Sequence, residues 1–262
     1  MKNDNKIIKN RLWNKVCEVD QSGRFYHYTT KEAIKSIVDS LALRFSLAKE
    51  LNDSNDKSNN YILSFTTSSV ENIPMWYLYT GVNANGVRIN ITKTGINKIL
   101  NQNLYYIEGN EKKFIERTNY KISFHPIVYY EDFKTKDKGY AGYNRIKFNH
   151  NVFYTTENEI SKMRKNPTFL KKMEWSYEKE TRMCIEVLDN SLREKIGDFL
   201  YVDLKGIISH FSITLGPNFS DKDNKDIEDK LRKTFNGKSL EHSTLTDVIN
   251  FDICKRCNKN NK

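Results

Sequence analysis

The sequence predicts an α+β protein, with mixed but mostly antiparallel β-sheets and flanking helices. Short aromatic and β-branched segments alternate with polar turns, and segments with helical spacing separate several of them. Aromatic residues make up 12% of the chain, which suits a mixed protein with many aromatic contacts. A chain of 262 residues can bury a full core. We expect a single domain over residues 24–240, an N-terminal extension over 1–23 and a polar tail over 241–262.

The first third of the chain predicts strands and helices in alternation. Arg24–Thr29 has the pattern of a short strand, and Thr30–Val38 that of a helix with Thr29 or Thr30 as its N-cap. Leu51–Asn60 is a polar loop. The other elements predicted here are strands over Leu41–Ser46, Tyr61–Ser68 and Gly86–Ile91, and a short aromatic helix over Met75–Tyr79.

The rest of the chain has a less regular pattern. Met183–Val187 is an apolar run that predicts a strand. The other predicted elements are a helix over Ile96–Asn103, a strand over Ile122–Tyr130 broken by Pro126, a helical excursion over Tyr140–Lys171, strands over Phe199–Asp203 and Gly206–Gly216, and an amphipathic helix over Asp221–Phe235.

The chain is strongly basic. Its 43 Lys and Arg residues exceed its 33 Asp and Glu residues, which gives a net charge of +10. This excess favours a polyanionic partner such as RNA, DNA or an acidic protein. An A/T-rich genome would also produce a Lys- and Asn-rich chain, and no basic block with interleaved aromatics marks a nucleic-acid groove.

The sequence lacks the patterns of a membrane span, a signal peptide and a complete metal site, and these absences predict the compartment and the metal content. No window approaches the ~20 apolar residues that cross a bilayer. The N-terminus lacks the apolar region of a signal peptide, so we expect a cytoplasmic protein without membrane association. Cys17 and Cys184 stand alone, while Cys254 and Cys257 form a C-x-x-C whose nearest further ligand candidate is His242. We expect no metal, and leave the role of the C-x-x-C open.

The segment Lys171–Arg182 carries the clearest chemical signal. If it continues into the strand that follows, Glu178, Glu180 and Arg182 share one face, because side chains two apart point the same way. Trp175 and Tyr177 crowd the same segment. A solvated Glu–Arg row that keeps a sheet soluble is the structural alternative.

A set of ordered motifs resembles the bacterial domain-of-unknown-function family numbered 2971, over roughly residues 25–235. Several motifs in order are more specific than any one of them. The chain departs from the family at Ser54–Asp56, where the family usually has a Pro and then an acid. The motifs are Tyr26–Thr29, Arg44–Ser46, Leu51–Asp53, Leu63–Thr66, Met75–Tyr79, Gly86–Ile89, Phe169–Lys172, Trp175–Arg182 and Ile213–Pro217.

The layout of these motifs is also similar to that of ADP-ribosyltransferases, which implies a split β-sandwich and NAD as the substrate. By that resemblance Glu180 would be the catalytic acid, because a carboxylate beside the ribose stabilises the oxocarbenium character that develops as nicotinamide leaves. Glu178 would orient the acceptor nucleophile or take its proton. No metal is required.

The same resemblance implies a set of NAD-binding residues. His27 or Arg44 would hold the ribose or the phosphates. The hydroxyl groups that would shape the pocket belong to Ser64, Thr66 and Thr67, and the rings that could stack on nicotinamide to Tyr28, Trp76 and Tyr79.

Ordinary structural roles compete with these assignments. His27 could be a core histidine, and Trp76, Tyr79 and Trp175 could be core aromatics. Glu178 and Arg182 could simply pair, with Arg44 bound to one of the acids, and Ser64–Ser69 could be plain strand and turn residues.

The function predicted from the sequence is an NAD-dependent ADP-ribosyltransferase of the glycosyltransferase class. A nucleic acid is the expected acceptor, a toxin or phage-defence effector the expected role, and an antitoxin or other defence protein the expected partner. The alternative is a non-catalytic module that senses a nucleotide or binds nucleic acid. Binding to nucleic acid that weakens steeply with salt and does not depend on Glu180 would favour a nucleic-acid-binding protein.

Overall fold

The computed structural model describes residues 23–50, 58–81, 83–131, 143–148, 151–156, 167–219, 225–235 and 239–246. These residues form two compact units, each assembled from segments that are distant in sequence. Unit 1 holds residue 23 and those within 44–67 and 102–202, and unit 2 holds those within 24–43, 68–101 and 203–246. Each unit combines strands with helices, so the α+β prediction is confirmed.

In chain order the strands are β1 (Arg24–Thr29), β2 (Ala42–Leu47), β3 (Tyr61–Thr66), β4 (Val87–Thr92), β5 (Leu104–Glu108), β6 (Glu111–Phe114), β7 (Tyr120–Pro126), β8 (Val128–Glu131), β9 (Tyr143–Phe148), β10 (Asn151–Thr156), β11 (Leu170–Lys172), β12 (Glu180–Val187), β13 (Phe199–Asp203), β14 (Phe211–Leu215) and β15 (Leu240–His242). The α-helices are α1 (Lys31–Ser40), α2 (Ile73–Tyr79), α3 (Lys93–Leu100), α4 (Asn190–Ile196) and α5 (Lys225–Thr234). Short 3-10 helices include Pro167–Phe169, Met173–Glu178 and Ile208–His210. No helix in these described ranges is long and apolar enough to cross a membrane.

Unit 2 contains a sheet with the strand order β15-β14-β4-β1. Strand β4 pairs antiparallel with both β1 and β14, and β14 pairs parallel with β15. Val87, Ile89 and Ile91 alternate along β4 and are buried. The Thr30 hydroxyl accepts a hydrogen bond from the Ala33 amide at 3.2 Å, so Thr30 caps α1 as predicted.

Unit 1 contains a sheet in which β12 lies between β3 and β7, antiparallel to both. Every residue of β12 is buried except Glu186. A second sheet has the order β10-β9-β8-β11, with β8 and β11 parallel. Strand β12 is therefore the central strand of the three, and the segment Lys171–Arg182, which we call the acidic motif, ends in it.

Three predictions of secondary structure are wrong, wholly or in part. The predicted strand over Gly206–Gly216 begins only at Phe211, because Ile208–His210 is a 3-10 helix. The segment 140–171 is not a helical excursion in its described parts, because β9 and β10 pair as antiparallel strands there. The acidic motif is not one continuous strand: Met173–Glu178 is a 3-10 helix, and β12 begins only at Glu180. The predicted tail begins inside β15, and Cys17, Cys254 and Cys257 lie outside the described residues.

Candidate functional site

The acidic motif of unit 1 forms a cluster of buried charges. We call Lys171, Glu178, Glu180 and Arg182 the charge cluster. Lys171 comes from β11, Glu178 from the end of the 3-10 helix, and Glu180 and Arg182 from β12. Arg182 is only 1% exposed, and the other members of the charge cluster are also buried.

Every member of the charge cluster has an oppositely charged partner in direct contact. The Lys171 Nζ lies 2.7 Å from Glu178 Oε2 and 2.7 Å from Glu180 Oε2. The Arg182 Nε donates to Glu180 Oε1 at 2.6 Å, and its Nη1 donates to the Thr168 carbonyl oxygen at 2.6 Å. Two acids are thus balanced by two bases, which removes the large cost of an unpaired buried charge.

A single backbone conformation brings both acids to Lys171. Lys179 has a φ of 46°, in the left-handed region, and it turns the chain from the 3-10 helix into β12. The first residue of β12 is held on two sides, since the Glu180 amide donates to the Tyr129 hydroxyl and the Ile127 amide donates to the Glu180 carbonyl, both at 2.8 Å. Glu178 and Glu180 therefore converge although they lie on different elements.

The paired charges determine which protonation states the cluster holds. Burial raises the pKa of Glu180, but the charges and hydrogen bonds of Arg182 and Lys171 outweigh this effect and lower it well below its ordinary value. Burial lowers the pKa of Lys171, but Glu180 and Glu178 raise it above its ordinary value. Burial and the charge of Glu180 raise the pKa of Tyr129. Glu180 is therefore a carboxylate at neutral pH.

Several of the sequence-predicted residues of unit 1 lie beside this cluster. In the register of β3 and β12, Thr66 lies opposite Glu180 and Ser64 opposite Arg182. The Thr67 amide donates to the Lys179 carbonyl oxygen at 3.2 Å. Arg44, by contrast, is exposed and lies 4.4 Å above the ring of Phe199.

Sequence reasoning missed His125, which lies opposite Arg182 on β7. Its Nδ1 atom is buried and has no hydrogen-bond partner among the described residues, and its ring packs edge-on against Phe169 at 5.4 Å. Burial lowers its pKa. Lys171 and Tyr129 were also missed as contributors to the site. Lys171 stands in one of the family motifs, whereas nothing near Tyr129 in the sequence signals a role.

The remaining predicted residues belong to unit 2. Tyr28 and Trp76 pack edge-to-face with ring centroids 4.8 Å apart. Trp76 is fully buried and its Nε1 donates to Glu71 at 3.0 Å, so protein covers its ring. His27, on β1 opposite Ile89, and Tyr79, on α2, are both half-buried.

Comparison with protein-family models matches residues 75–183 to a family described as "Protein of unknown function (DUF2971)". The match begins in α2, includes β4 and ends within β12, so it contains the whole charge cluster. The predicted resemblance to this family is therefore confirmed over that segment. Comparisons with curated proteins and with solved structures give no match.

Proposed function

We propose that the chain is an NAD-dependent ADP-ribosyltransferase in which Glu180 stabilises the positive charge that develops on the ribose. The supporting observation is the state and place of Glu180: a carboxylate held ionised at the first position of β12, beside Thr66. In the reaction the bond between the ribose C1′ and the nicotinamide nitrogen breaks, and a fixed negative charge lowers the energy of the oxocarbenium-like transition state.

Glu178 is the second acid of the proposed mechanism. It shares Lys171 with Glu180 and lies at the end of the preceding 3-10 helix. An acceptor nucleophile forms the new bond to C1′ and gives up its proton, and Glu178 accepts that proton or orients the nucleophile. Nicotinamide leaves with the electron pair of the broken bond.

Of the two cations that hold Glu180, Lys171 is the one expected to yield to substrate. Arg182 is fixed by a second hydrogen bond to the Thr168 carbonyl oxygen, while Lys171 carries its charge on a flexible stem. Movement of Lys171 would free one oxygen of Glu180 for a ribose hydroxyl while Arg182 keeps the carboxylate ionised.

The net charge of the chain supports the proposed acceptor. A net charge of +10 favours association with a polyanion, so we propose a nucleic acid as the acceptor. The activity then fits a cytoplasmic toxin or phage-defence effector restrained by an antitoxin or another defence protein.

The test uses NAD labelled on its adenylate, with purified full chain, cell lysate and total RNA. We expect labelled RNA and free nicotinamide with the wild type and with Glu186→Gln, an exposed acid on the same strand. Glu180→Gln should lose both signals while its circular dichroism stays that of the wild type. Equal label transfer by Glu180→Gln, or no nicotinamide release by the wild type, would overturn the proposal.

A second candidate is a non-catalytic nucleotide-sensing or nucleic-acid-binding module. The observation that favours it is the internal balance of the charge cluster, where each acid already has a base in contact. Calorimetry separates the two candidates, because a sensor binds NAD without consuming it and Glu180→Gln leaves that affinity intact.

A further inference from the structure

The sheet of unit 2 carries a second set of buried polar side chains, on one face of β4. Arg88 is 7% exposed and Asn90 is 5% exposed. Because they are two positions apart, they share a face. Tyr28 and Thr214 lie opposite Arg88, and Tyr26 and Ser212 lie opposite Asn90, so two polar rows cross three strands. We call these six residues the Arg88 site.

The contacts that Arg88 makes with other described residues are to neutral groups. Its Nη1 donates to the Ser69 carbonyl oxygen at 3.2 Å and its Nη2 donates to the Thr214 hydroxyl at 3.4 Å. The guanidinium lies 4.7 Å above the ring of Tyr26. Its Nε has no hydrogen-bond partner, and no carboxylate among the described residues forms an ion pair with it. A buried guanidinium is normally paired with an anion, so this charge is incompletely compensated.

Glu71 does not supply the missing partner. Its Oε1 accepts from the amide of Thr244 at 2.8 Å and from the hydroxyl of Thr244 at 3.0 Å, and its Oε2 accepts from Trp76 and from Ser243. Burial raises its pKa, but these hydrogen bonds and the charge of Arg88 lower it overall. The charge of Arg88 therefore helps to lower the pKa of Glu71, but both Glu71 oxygens already accept hydrogen bonds from other residues.

Asn90 has an unused polar atom beside this charge. Its Nδ2 donates to the hydroxyls of Ser212 at 3.1 Å and Thr214 at 3.2 Å, and its Oδ1 is buried with no hydrogen-bond partner in the described part of the chain. Hydroxyl groups can donate as well as accept, so turning the amide over would leave Nδ2 unpartnered instead. Either way, one end of the amide and the Arg88 Nε are both buried on the same face of β4 without a hydrogen-bond partner among the described residues.

We propose that the Arg88 site binds the phosphate group of a small molecule. The Arg88 Nε–H donates to a phosphate oxygen. The end of the Asn90 amide that lacks a hydrogen-bond partner makes the second contact, to a phosphate hydroxyl or oxygen. Guanidinium is well matched to phosphate in geometry and charge. The ligand is small because a side chain only 7% exposed is out of reach of the backbone of a folded nucleic acid. This site does not depend on the role proposed for Glu180.

Calorimetric titration of the full chain with inorganic phosphate and with ADP, at constant ionic strength, tests the proposal. We expect the wild type to bind, and Arg88→Gln to bind at least about tenfold more weakly, because it loses a charge-assisted hydrogen bond. Asn90→Asp should weaken binding similarly, since it keeps the shape and adds a repelling charge. Arg232→Gln, an exposed and ion-paired arginine of the same unit, should bind as the wild type does.

The outcomes separate the sources of the phosphate. Tighter binding of ADP than of phosphate would indicate a nucleotide, and equal affinities a free phosphate ion. No binding of either probe to the wild type, or wild-type affinity in Asn90→Asp, would overturn the proposal and leave a buried water as the partner of these atoms. If Arg88→Gln does not fold, Asn90→Asp decides. An oligoribonucleotide that binds through Arg88 while ADP does not would contradict the small-molecule class.

Discussion

The two units bury arginine in different ways. In unit 1, Arg182 contacts a carboxylate at 2.6 Å within a cluster where two acids meet two bases. In unit 2, Arg88 contacts a carbonyl oxygen, a hydroxyl and an aromatic ring, and has no described carboxylate as an ion-pair partner. Buried charge is costly in both places, but only the first unit offsets that cost from within.

This difference separates two uses of a buried cation. A cation inside a closed ion-pair network fixes the protonation and position of its acids, which is what Glu180 needs to act as a fixed negative charge. A cation such as Arg88, with no carboxylate of the described residues in ion-pair contact, keeps electrostatic attraction for a ligand from outside.

Arg182→Met should have the largest effect. It leaves Glu180 with one cation and the Thr168 carbonyl oxygen without its donor, and breaking a buried ion pair costs roughly 4 kcal/mol of unfolding free energy. Urea unfolding measures this loss. Arg232→Met, which removes an exposed ion pair with Glu228, should cost at most about 1 kcal/mol. Equal losses in the two variants would show that burial does not matter here.

Lys171→Met should lower the unfolding free energy by roughly 3 kcal/mol and reverse the direction in which that free energy changes with pH. Without Lys171, two acids share one cation, so the folded-state pKa of one of them rises above its unfolded value. A raised acid pKa gives stability that is lost as pH increases, so this variant should be less stable at pH 7 than at pH 5. Lys113→Met, at an exposed ion pair, should keep the wild-type profile. A profile like that of the wild type in Lys171→Met would contradict the account.

The wild type should lose stability on acidification through Glu180. The pKa of this group is lowered from 4.5, so its contribution is complete above that value and is lost as pH falls towards the folded-state pKa. Each unit of lowering contributes about 1.4 kcal/mol. Chemical unfolding between pH 6 and pH 3 should give a flatter profile for Glu180→Gln than for the wild type. Glu186→Gln should keep the wild-type slope of unfolding free energy against pH. The same slope in Glu180→Gln would contradict the prediction.

Arg88→Met should have a smaller effect than the cluster variants. It removes two hydrogen bonds to neutral acceptors and breaks no described ion pair. We therefore expect the unfolding free energy to fall by about 1–2 kcal/mol. The measurement is again urea unfolding, in buffer free of phosphate. A loss as large as that of Arg182→Met would mean that Arg88 is an internally satisfied structural charge.

Local pattern predicted much of the fold. Alternation predicted β4, capping chemistry predicted the start of α1 at Thr30, and Pro126 marked the break between β7 and β8. Segment 140–171 was misassigned because apolar residues such as Tyr143 and Ile146 recur at helical spacing, while pairing between β9 and β10 decided the structure. Tertiary pairing overrides such local signals.

The sequence predicts only part of the charge cluster. Period-two alternation correctly joins Glu180 and Arg182, but the left-handed Lys179 ends the pattern before Glu178. Lys171 reaches the acids only because β11 pairs with β8. Alternation in Gly86–Ile91 predicts only that Arg88 is a polar position on a half-buried strand, and its partner Thr214 is 126 residues away. Contacts between such distant segments leave no local signature.

The most direct test of the contrast is the change in unfolding free energy that phosphate produces in Arg88→Met and in Arg182→Met. A ligand that binds only the folded state raises stability as its concentration exceeds its dissociation constant. We expect Arg182→Met, though destabilised, to keep the increment seen in the wild type, and Arg88→Met to lose it. An increment that survives in Arg88→Met or disappears in Arg182→Met would contradict the account.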